Sequence, residues 1–178
     1  MVDDYTITIV CGSRRSPSRT RSLTDRAEQI CTTQGYSVNT IDLGHRRMTL
    51  FDGREFERYD RETRSLVKDF IDANIYLIAS PVYYAGISGA LKNFIDLIPY
   101  EQFRGEQRIA GLLMTGRDRR HQLVLDTQLR STLVYLGIHV ASTSVFAVED
   151  DFTDYTLTNT DIDGWIEQTI DEILKLTG

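Results

Sequence analysis

Cysteine, lysine and long apolar runs are scarce in this chain, and each scarcity excludes something. Of 178 residues only Cys11 and Cys31 are cysteines, and neither stands in a Cys-x-x-Cys or metal-ligand spacing. That argues against a disulfide framework or a zinc site and leaves two small buried apolar side chains; no metal is expected. No run approaches the roughly 20 apolar residues of a membrane helix. Met1 to Asp4 is too short and acidic for a secretory leader. The expectation is a soluble cytoplasmic protein with no membrane partner. Positive charge is also in deficit: 20 Lys and Arg against 26 Asp and Glu give a formal charge of -6. Such a chain repels a polyphosphate backbone, and no basic stripe with interleaved aromatics offsets it, so nucleic acid is not an expected partner. Two phosphate-binding patterns are missing as well. The absence of G-x-x-x-x-G-K-[ST] argues against a nucleoside triphosphate, and that of G-x-G-x-x-G against a dinucleotide pyrophosphate laid on a helix start.

What is present is enough apolar material, 41% of the residues, for one substantial core, so residues 1–178 are expected to form a single domain. Tyr5 to Cys11 is β-rich and ends at Gly12, the shape of a strand entering a turn. Leu23, Ala27, Ile30 and Cys31 recur at helical spacing until Gly35, a C-terminal cap. Tyr36 to Leu43 forms a second strand. After the polar stretch Gly44 to Arg61, Leu66, Val67, Phe70 and Ile71 mark a second helix. Ile75 to Ala79 is an unbroken apolar run, as expected of a strand covered on both faces in a parallel sheet. A helix over Ser88 to Ile98, a strand over Ile109 to Thr115, and a helix carrying Leu125, Leu129, Leu133 and Leu136 follow. His139 to Val148 is the fifth strand. Beyond the acidic loop Glu149 to Thr160, Ile162, Ile166, Ile170 and Ile173 mark the closing helix. This alternation predicts an α/β fold with a five-stranded, doubly wound sheet. Ligands in such sheets sit beyond the carboxyl ends of the strands, where the winding reverses.

The loops at those ends are chemically unusual. Gly12 to Thr20 (GSRRSPSRT) holds four hydroxyls and three arginines and runs into a helix. A helix start offers unpaired N–H groups and partial positive charge, and short hydroxyls can surround a phosphate monoester whose oxygens all need donors. The alternative is an ordinary Ser-rich turn capping a helix. The loop after the third strand reads Ser80 to Gly89 (SPVYYAGISG), followed by ALKNFIDLIP. Glycines at 86 and 89 allow close backbone approach, Pro81 fixes a local turn, and an aromatic at Tyr83 can lie against a flat ring or simply pack.

The second segment resembles the P-x-Y-x-x-G-x-S-G-x-L-K-N-x-I-D signature of the NADPH-dependent FMN reductase family, which includes FMN, azo-dye and quinone reductases. The first resembles that family's G-S-x-R-x-x-S-x-(S/T) phosphate motif, and the two stand in the same order and spacing. The resemblance implies a flavodoxin-like three-layer fold, strand order 2-1-3-4-5, and bound flavin mononucleotide (FMN). Ser13, Arg15, Ser18 and Thr20 would hold the phosphate; Pro81, Val82, Tyr83 and Gly86 would line the ring. Thr115 and Gly116, at the end of the fourth strand, would meet its pyrimidine side. The implied reaction passes hydride from NADPH or NADH to the flavin and on to a small acceptor: a quinone, azo compound, free flavin or metal ion. No catalytic acid or base is assigned, because the cofactor carries the chemistry. The competing class is a flavodoxin-like carrier that exchanges single electrons with proteins. A subgroup that supplies free reduced flavin carries an inserted tyrosine in the helix matching Leu123 to Leu136. Thr127 stands near that place, which implies bound rather than exchanged flavin.

Relatives often have a second glycine after Gly116; here Arg117 follows, then Asp118, Arg119, Arg120 and His121. Arg117, Arg119 or Arg120 could bind the 2′-phosphate of NADPH, against the plainer alternative of a solvated helix start. Lys92, Asn93 and Asp96 lie on a helix apolar on most sides and read as structural. That helix wants more cover than one sheet face provides, so a homodimer or homotetramer buried there is expected, in line with the family.

Overall fold

The computed structural model describes residues 6–103 and 105–177, so Tyr5, the expected start of the first strand, lies outside them. Five parallel strands form the sheet: β1 (Thr6–Cys11), β2 (Ser37–Asp42), β3 (Ile75–Tyr83), β4 (Ile109–Thr115) and β5 (His139–Ala147). Their order is β2-β1-β3-β4-β5, with Thr6 opposite Ser37, Ile7 opposite Ile75, Ile75 opposite Ile109, and Ile109 opposite His139. This is the flavodoxin-like, doubly wound α/β arrangement that the sequence pattern and the resemblance imply. A two-residue strand, Gly86–Ile87, folds back antiparallel on the end of β3.

Side-chain alternation along the strands divides the core into two layers. Ile7, Ile9, Ile75, Leu77, Ala79 and Leu113 face one side, under helices α1 (Arg19–Thr33) and, near the C-terminus, Asp161–Lys175. Val10, Tyr76, Ile78, Leu112 and Met114 face the other, under α2 (Arg61–Ile71), α3 (Gly89–Asp96) and the helical stretch from Leu125. Phe70 anchors that second layer: its ring stacks on Tyr76 at 4.4 Å and meets Phe94 edge-on at 5.3 Å.

The structure departs from the sequence pattern in four places. β3 continues four residues past Ala79, so Pro81 stands inside a strand and fixes no turn. Its missing N–H costs nothing there, because β1 has already ended and the last bond on that side runs from Gly12 N–H to Ala79 O, 2.8 Å. The turn falls instead at Tyr84-Ala85, both at positive φ, 47° and 57°. Helix α3 starts one residue later than expected, with Ser88 as its cap, and closes at Asp96 rather than Ile98. Leu91, Phe94, Ile95, Leu97 and Ile98 are all covered within the chain, so α3 does not need a second subunit to bury its apolar side. The fourth helix is a π-helical stretch, Leu125–Arg130, continuing as α4 (Ser131–Tyr135). Thr127, near the place where the subgroup carries its inserted tyrosine, lies inside this widened stretch. Finally, the acidic loop contains a small hairpin, Phe152–Thr153 paired with Thr156–Leu157, before the closing helix α5 (Asp161–Lys175).

Candidate functional site

Several side chains at the carboxyl end of the sheet are fixed by local hydrogen bonding. Ser18 caps α1 in an extended conformation, accepting from Arg21 N–H at 3.2 Å while donating to Ser13 Oγ at 2.8 Å. Ser13 Oγ also accepts from Arg15 N–H, 3.3 Å. The loop thus curls back on itself, with hydroxyls and the first N–H groups of α1 on one concave side. Gly12 is required at its start: a Cβ there would lie 2.6 Å from Ala79 O. Arg21 closes the outer side by gripping Asp42 at the end of β2 through Nε and a terminal nitrogen, 2.6 and 2.8 Å. Burial opposes the charge of Asp42 most strongly, yet the Arg21 guanidinium and Gly44 N–H outweigh it and hold the carboxyl below the ordinary range.

The other loops are tied to this one. Ser88 caps α3 and donates to Gly12 O at 2.6 Å, while its own N–H reaches Ser80 Oγ at 3.0 Å. Thr20 and Thr115 share a buried hydroxyl–hydroxyl bond of 2.6 Å, which joins the start of α1 to the end of β4. Gly116 cannot carry a side chain, since a Cβ would lie 2.6 Å from Phe146 Cζ.

Ser13, Arg15, Ser18, Thr20, Pro81, Val82, Tyr83, Thr115 and Gly116 all border one open cleft of about 210 Å³. Gly86 does not border it; its Cα faces the π-helical stretch, where an added Cβ would be 3.3 Å from Gln128 Oε1. Gly89 has open space around it, so no close approach explains that glycine. Sequence reasoning missed the far wall. Arg19 pairs with Glu149 and lies over the ring of Tyr155, 5.5 Å from its centroid, and all three border the cleft. Glu149 and Tyr155 come from the acidic loop, whose composition carries no trace of a role. Of the three arginines after Gly116, Arg117 reaches the cleft, whereas Arg120 is chelated by Asp118 at 3.0 and 2.7 Å. Near the same strand ends, Cys11 is buried and its thiol is pushed up by that burial, so it stays protonated and inert.

A phosphate ester bearing a flat ring fits this donor set. The loop supplies hydroxyls and helix-start amides, and Arg19 Nε is buried with no acceptor in reach, a donor that an anion would satisfy. No residues of the cleft form a cluster that could ligate a metal among the described residues.

Comparison with known proteins agrees with this chemistry. Residues 5–153 match the model of the family described as NADPH-dependent FMN reductase. An NAD(P)H-dependent FAD/FMN reductase of Geobacillus thermodenitrificans is 30% identical over 128 residues, 72% of this chain and 67% of the relative. An NADH-dependent FMN reductase of Pseudomonas putida is 25% identical over 169 residues, 94% of this chain and 90% of its own. In fold, the chain is similar to FerB, a flavoenzyme NAD(P)H:(acceptor) oxidoreductase of Paracoccus denitrificans, with a TM-score of 0.78 at 17% identity over 96% of this chain and 98% of that one.

Proposed function

The chain belongs to the NADPH-dependent FMN reductase family, and from that premise we propose that the cleft holds FMN and that the protein passes reducing equivalents from NAD(P)H to a small organic acceptor or metal ion. It is an oxidoreductase that uses FMN with a nicotinamide co-substrate. The observation that carries the site assignment is the junction of the two loops in one cleft. The hydroxyl-rich turn is bonded through Gly12 O to Ser88, which follows the Pro81-Val82-Tyr83 strand end.

In this reading Ser13, Ser18, Thr20 and the N–H groups at the start of α1 hold the phosphate, with Arg15 and Arg19 supplying positive charge. Val82 and Tyr83 lie along the ring, and the N–H groups near Thr115 and Gly116 meet its polar edge. When bound, FMN supplies the redox chemistry, accepting a hydride from NAD(P)H and delivering it onward. The side chains bind, orient and hold charge, and none acts as an acid or base. A cleft of about 210 Å³ is smaller than the roughly 300–1,000 Å³ typical of ligand pockets, so its occupant keeps one part in the open. An exposed ring suits two successive substrates, nicotinamide and then quinone, azo compound, free flavin or metal ion, sharing one slot. The two-residue turn after β3 leaves that slot uncovered, which favours a reductase over a carrier that shields its flavin for protein partners. We place the whole of residues 1–178 in one FMN-binding unit, acting in the cytoplasm.

The test is an absorbance spectrum of protein purified with FMN, recorded before and after anaerobic NADPH and then NADH. Bleaching of the flavin band by either is the expected result; a flavin band that neither donor bleaches, or protein that retains no FMN at saturation, overturns the proposal.

A further inference from the structure

Arg19 is the first residue of α1 and borders the cleft, and its guanidinium is held there by Glu149, which comes from the loop after β5. Resting on the FMN reading above, we infer that Glu149 is a built-in competitor of the flavin phosphate: its carboxylate occupies half of the fork that the phosphate uses, and so limits how tightly the protein holds FMN.

The first argument is the unfinished ion pair. An arginine presents Nε and one terminal nitrogen side by side, and a single carboxylate can take both. Arg21 gives both to Asp42 at 2.6 and 2.8 Å, Arg120 gives both to Asp118 at 3.0 and 2.7 Å, and Arg26 gives both to Asp163. Arg19 gives Glu149 a terminal nitrogen alone, while its Nε is buried with no acceptor among the described residues. The pair is half made, and the unused half is a buried donor on a residue that borders the cleft assigned to the phosphate.

The second argument is charge. The start of a helix favours an anion, yet α1 has no acidic residue in its first turn. Glu149 brings negative charge to a place where the helix itself supplies none, and there it stands in for the phosphate. The two cannot share Arg19 comfortably. A phosphate on Nε with the carboxylate still on the neighbouring nitrogen would set two anions about 4–5 Å apart, and each would weaken the binding of the other.

The third is that Glu149 can give way without disturbing the fold. Its second carboxylate oxygen already faces Arg117 Nε at 3.9 Å, and its side chain is 46% exposed, so solvent screens the pair with Arg19 and holds it weakly. The backbone is fixed independently of that pair. Glu149 N–H donates to Arg117 O at 3.3 Å, and the turn that follows is closed by the Asp151 carboxylate, which accepts from Val148 N–H at 2.7 Å. Only the side chain has to turn, and a glutamine at this position keeps every backbone bond.

The experiment titrates the full-length protein with FMN, following flavin fluorescence, for the natural chain and for Glu149→Gln, at low salt and at about 0.5 M salt. Glutamine has the same length and still accepts from Arg19, so the variant removes charge with little change of shape. Expected is FMN binding roughly tenfold tighter in Glu149→Gln at low salt, a gain that falls to about threefold or less at high salt. The rise in melting temperature that a fixed excess of FMN produces should be larger in the variant to match. If Glu149 instead serves to hold Arg19 in place, the variant binds FMN more weakly. That result or an equal affinity overturns the inference, and so does a gain that salt leaves unchanged, which would report packing rather than charge. Each of these outcomes leaves the FMN assignment standing. Failure of the natural chain and the variant alike to bind FMN overturns that assignment itself.

Discussion

Tyr84 and Ala85 show how single residues at this site depart from what folding alone would select. They are the two central residues of a hairpin turn that needs positive φ at both positions, and such turns favour Asn-Gly. A side chain in the left-handed region carries strain of about 1 kcal/mol or more, and the Tyr84 ring gains nothing in return from burial, since it is fully exposed. Replacing the pair by the sequence the turn prefers, Tyr84→Asn with Ala85→Gly, is expected to stabilise the protein by about 1 kcal/mol, the relief of strain being reduced by the freedom the new glycine has in the unfolded chain. Urea unfolding read by circular dichroism checks it; an earlier midpoint in the double variant would show that the turn is unstrained. This turn was illegible in the sequence for the same reason. A Pro-Val-Tyr-Tyr-Ala-Gly run lacks the Asn-Gly signal, so Pro81 reads as the turn and the strand as ending at Ala79, whereas β3 passes through the proline. The shape of the hydroxyl-rich loop was legible because its information is local: hydroxyls, arginines and a helix cap within nine residues. Glu149 and Tyr155 were not, because nothing near them in sequence records that Arg19 is opposite.

At the scale of elements, strands and helices whose apolar residues repeat at period 2 or 3.6 could be placed to within a residue or two, and β4 falls at Ile109–Thr115 as read. What periodicity cannot show is where two elements interrupt each other. Between Ala110 and Leu112 the ladder to β5 slips: Ala110 faces Val140, while Leu112 faces Ser144. The bulged N–H groups of Ser142 and Thr143 lose their sheet partners and are taken instead by the Glu172 carboxylate of α5, at 2.6 and 2.8 Å. From the other side, Arg130 at the end of the π-helical stretch donates to Ala141 O at 2.6 Å. The bulge therefore depends on two helices for its hydrogen bonds, and Gly111 opposite it lets α5 come close, since a Cβ there would meet Thr169 Cγ2 at 2.5 Å. Burial works most strongly against the charge of Glu172, but the donors from Ser142 and Thr143 prevail and bring its pKa down to about 2 from the usual 4.5. A carboxyl lowered in the folded state stabilises fully above its unfolded value and loses that contribution as pH falls toward its folded value. Stability should therefore decline between about pH 4.5 and pH 2 on account of this group. In Glu172→Gln that part of the decline should vanish, so the difference in unfolding free energy between pH 7 and pH 3 becomes smaller than in the natural chain. Equal differences in the two proteins would mean that the carboxylate does not hold the bulge.

At the scale of the whole molecule, the apolar surface that the chain leaves uncovered points to its assembly. Helix α3 is not that surface, because its apolar side chains are packed under β1, β3 and α2. Among the exposed ones, Leu123, Val134 and Tyr135 lie around the fourth helix, with Tyr135 stacked on Tyr100 at 5.9 Å, while Leu50, Phe51, Trp165 and Leu176 are exposed elsewhere. The Tyr84 turn adjoins this helix, since Gln128 donates to Ala85 O at 2.9 Å and accepts from Ile87 N–H at 3.3 Å. Aromatic and aliphatic side chains are thus gathered from the rim of the proposed flavin cleft to the end of α4, the kind of patch a stable monomer rarely shows to water. We propose that a second copy of the chain covers it, so that the open side of each cleft is walled by the partner. Closed two-fold assemblies are the commonest way for identical patches to pair. Light scattering coupled to size exclusion at micromolar concentration should give a dimer or tetramer mass for the natural chain and a monomer for Leu123→Glu with Tyr135→Glu, two exposed positions where a carboxylate costs the isolated fold little. The sequence supports an oligomer through α3 and the structure through the fourth helix, and substitutions at Leu123, just ahead of the π-helical stretch, and at Tyr135, at the end of α4, separate these routes. A natural chain that runs as a monomer would refute both, and an unchanged oligomer in the double variant would place the contact elsewhere.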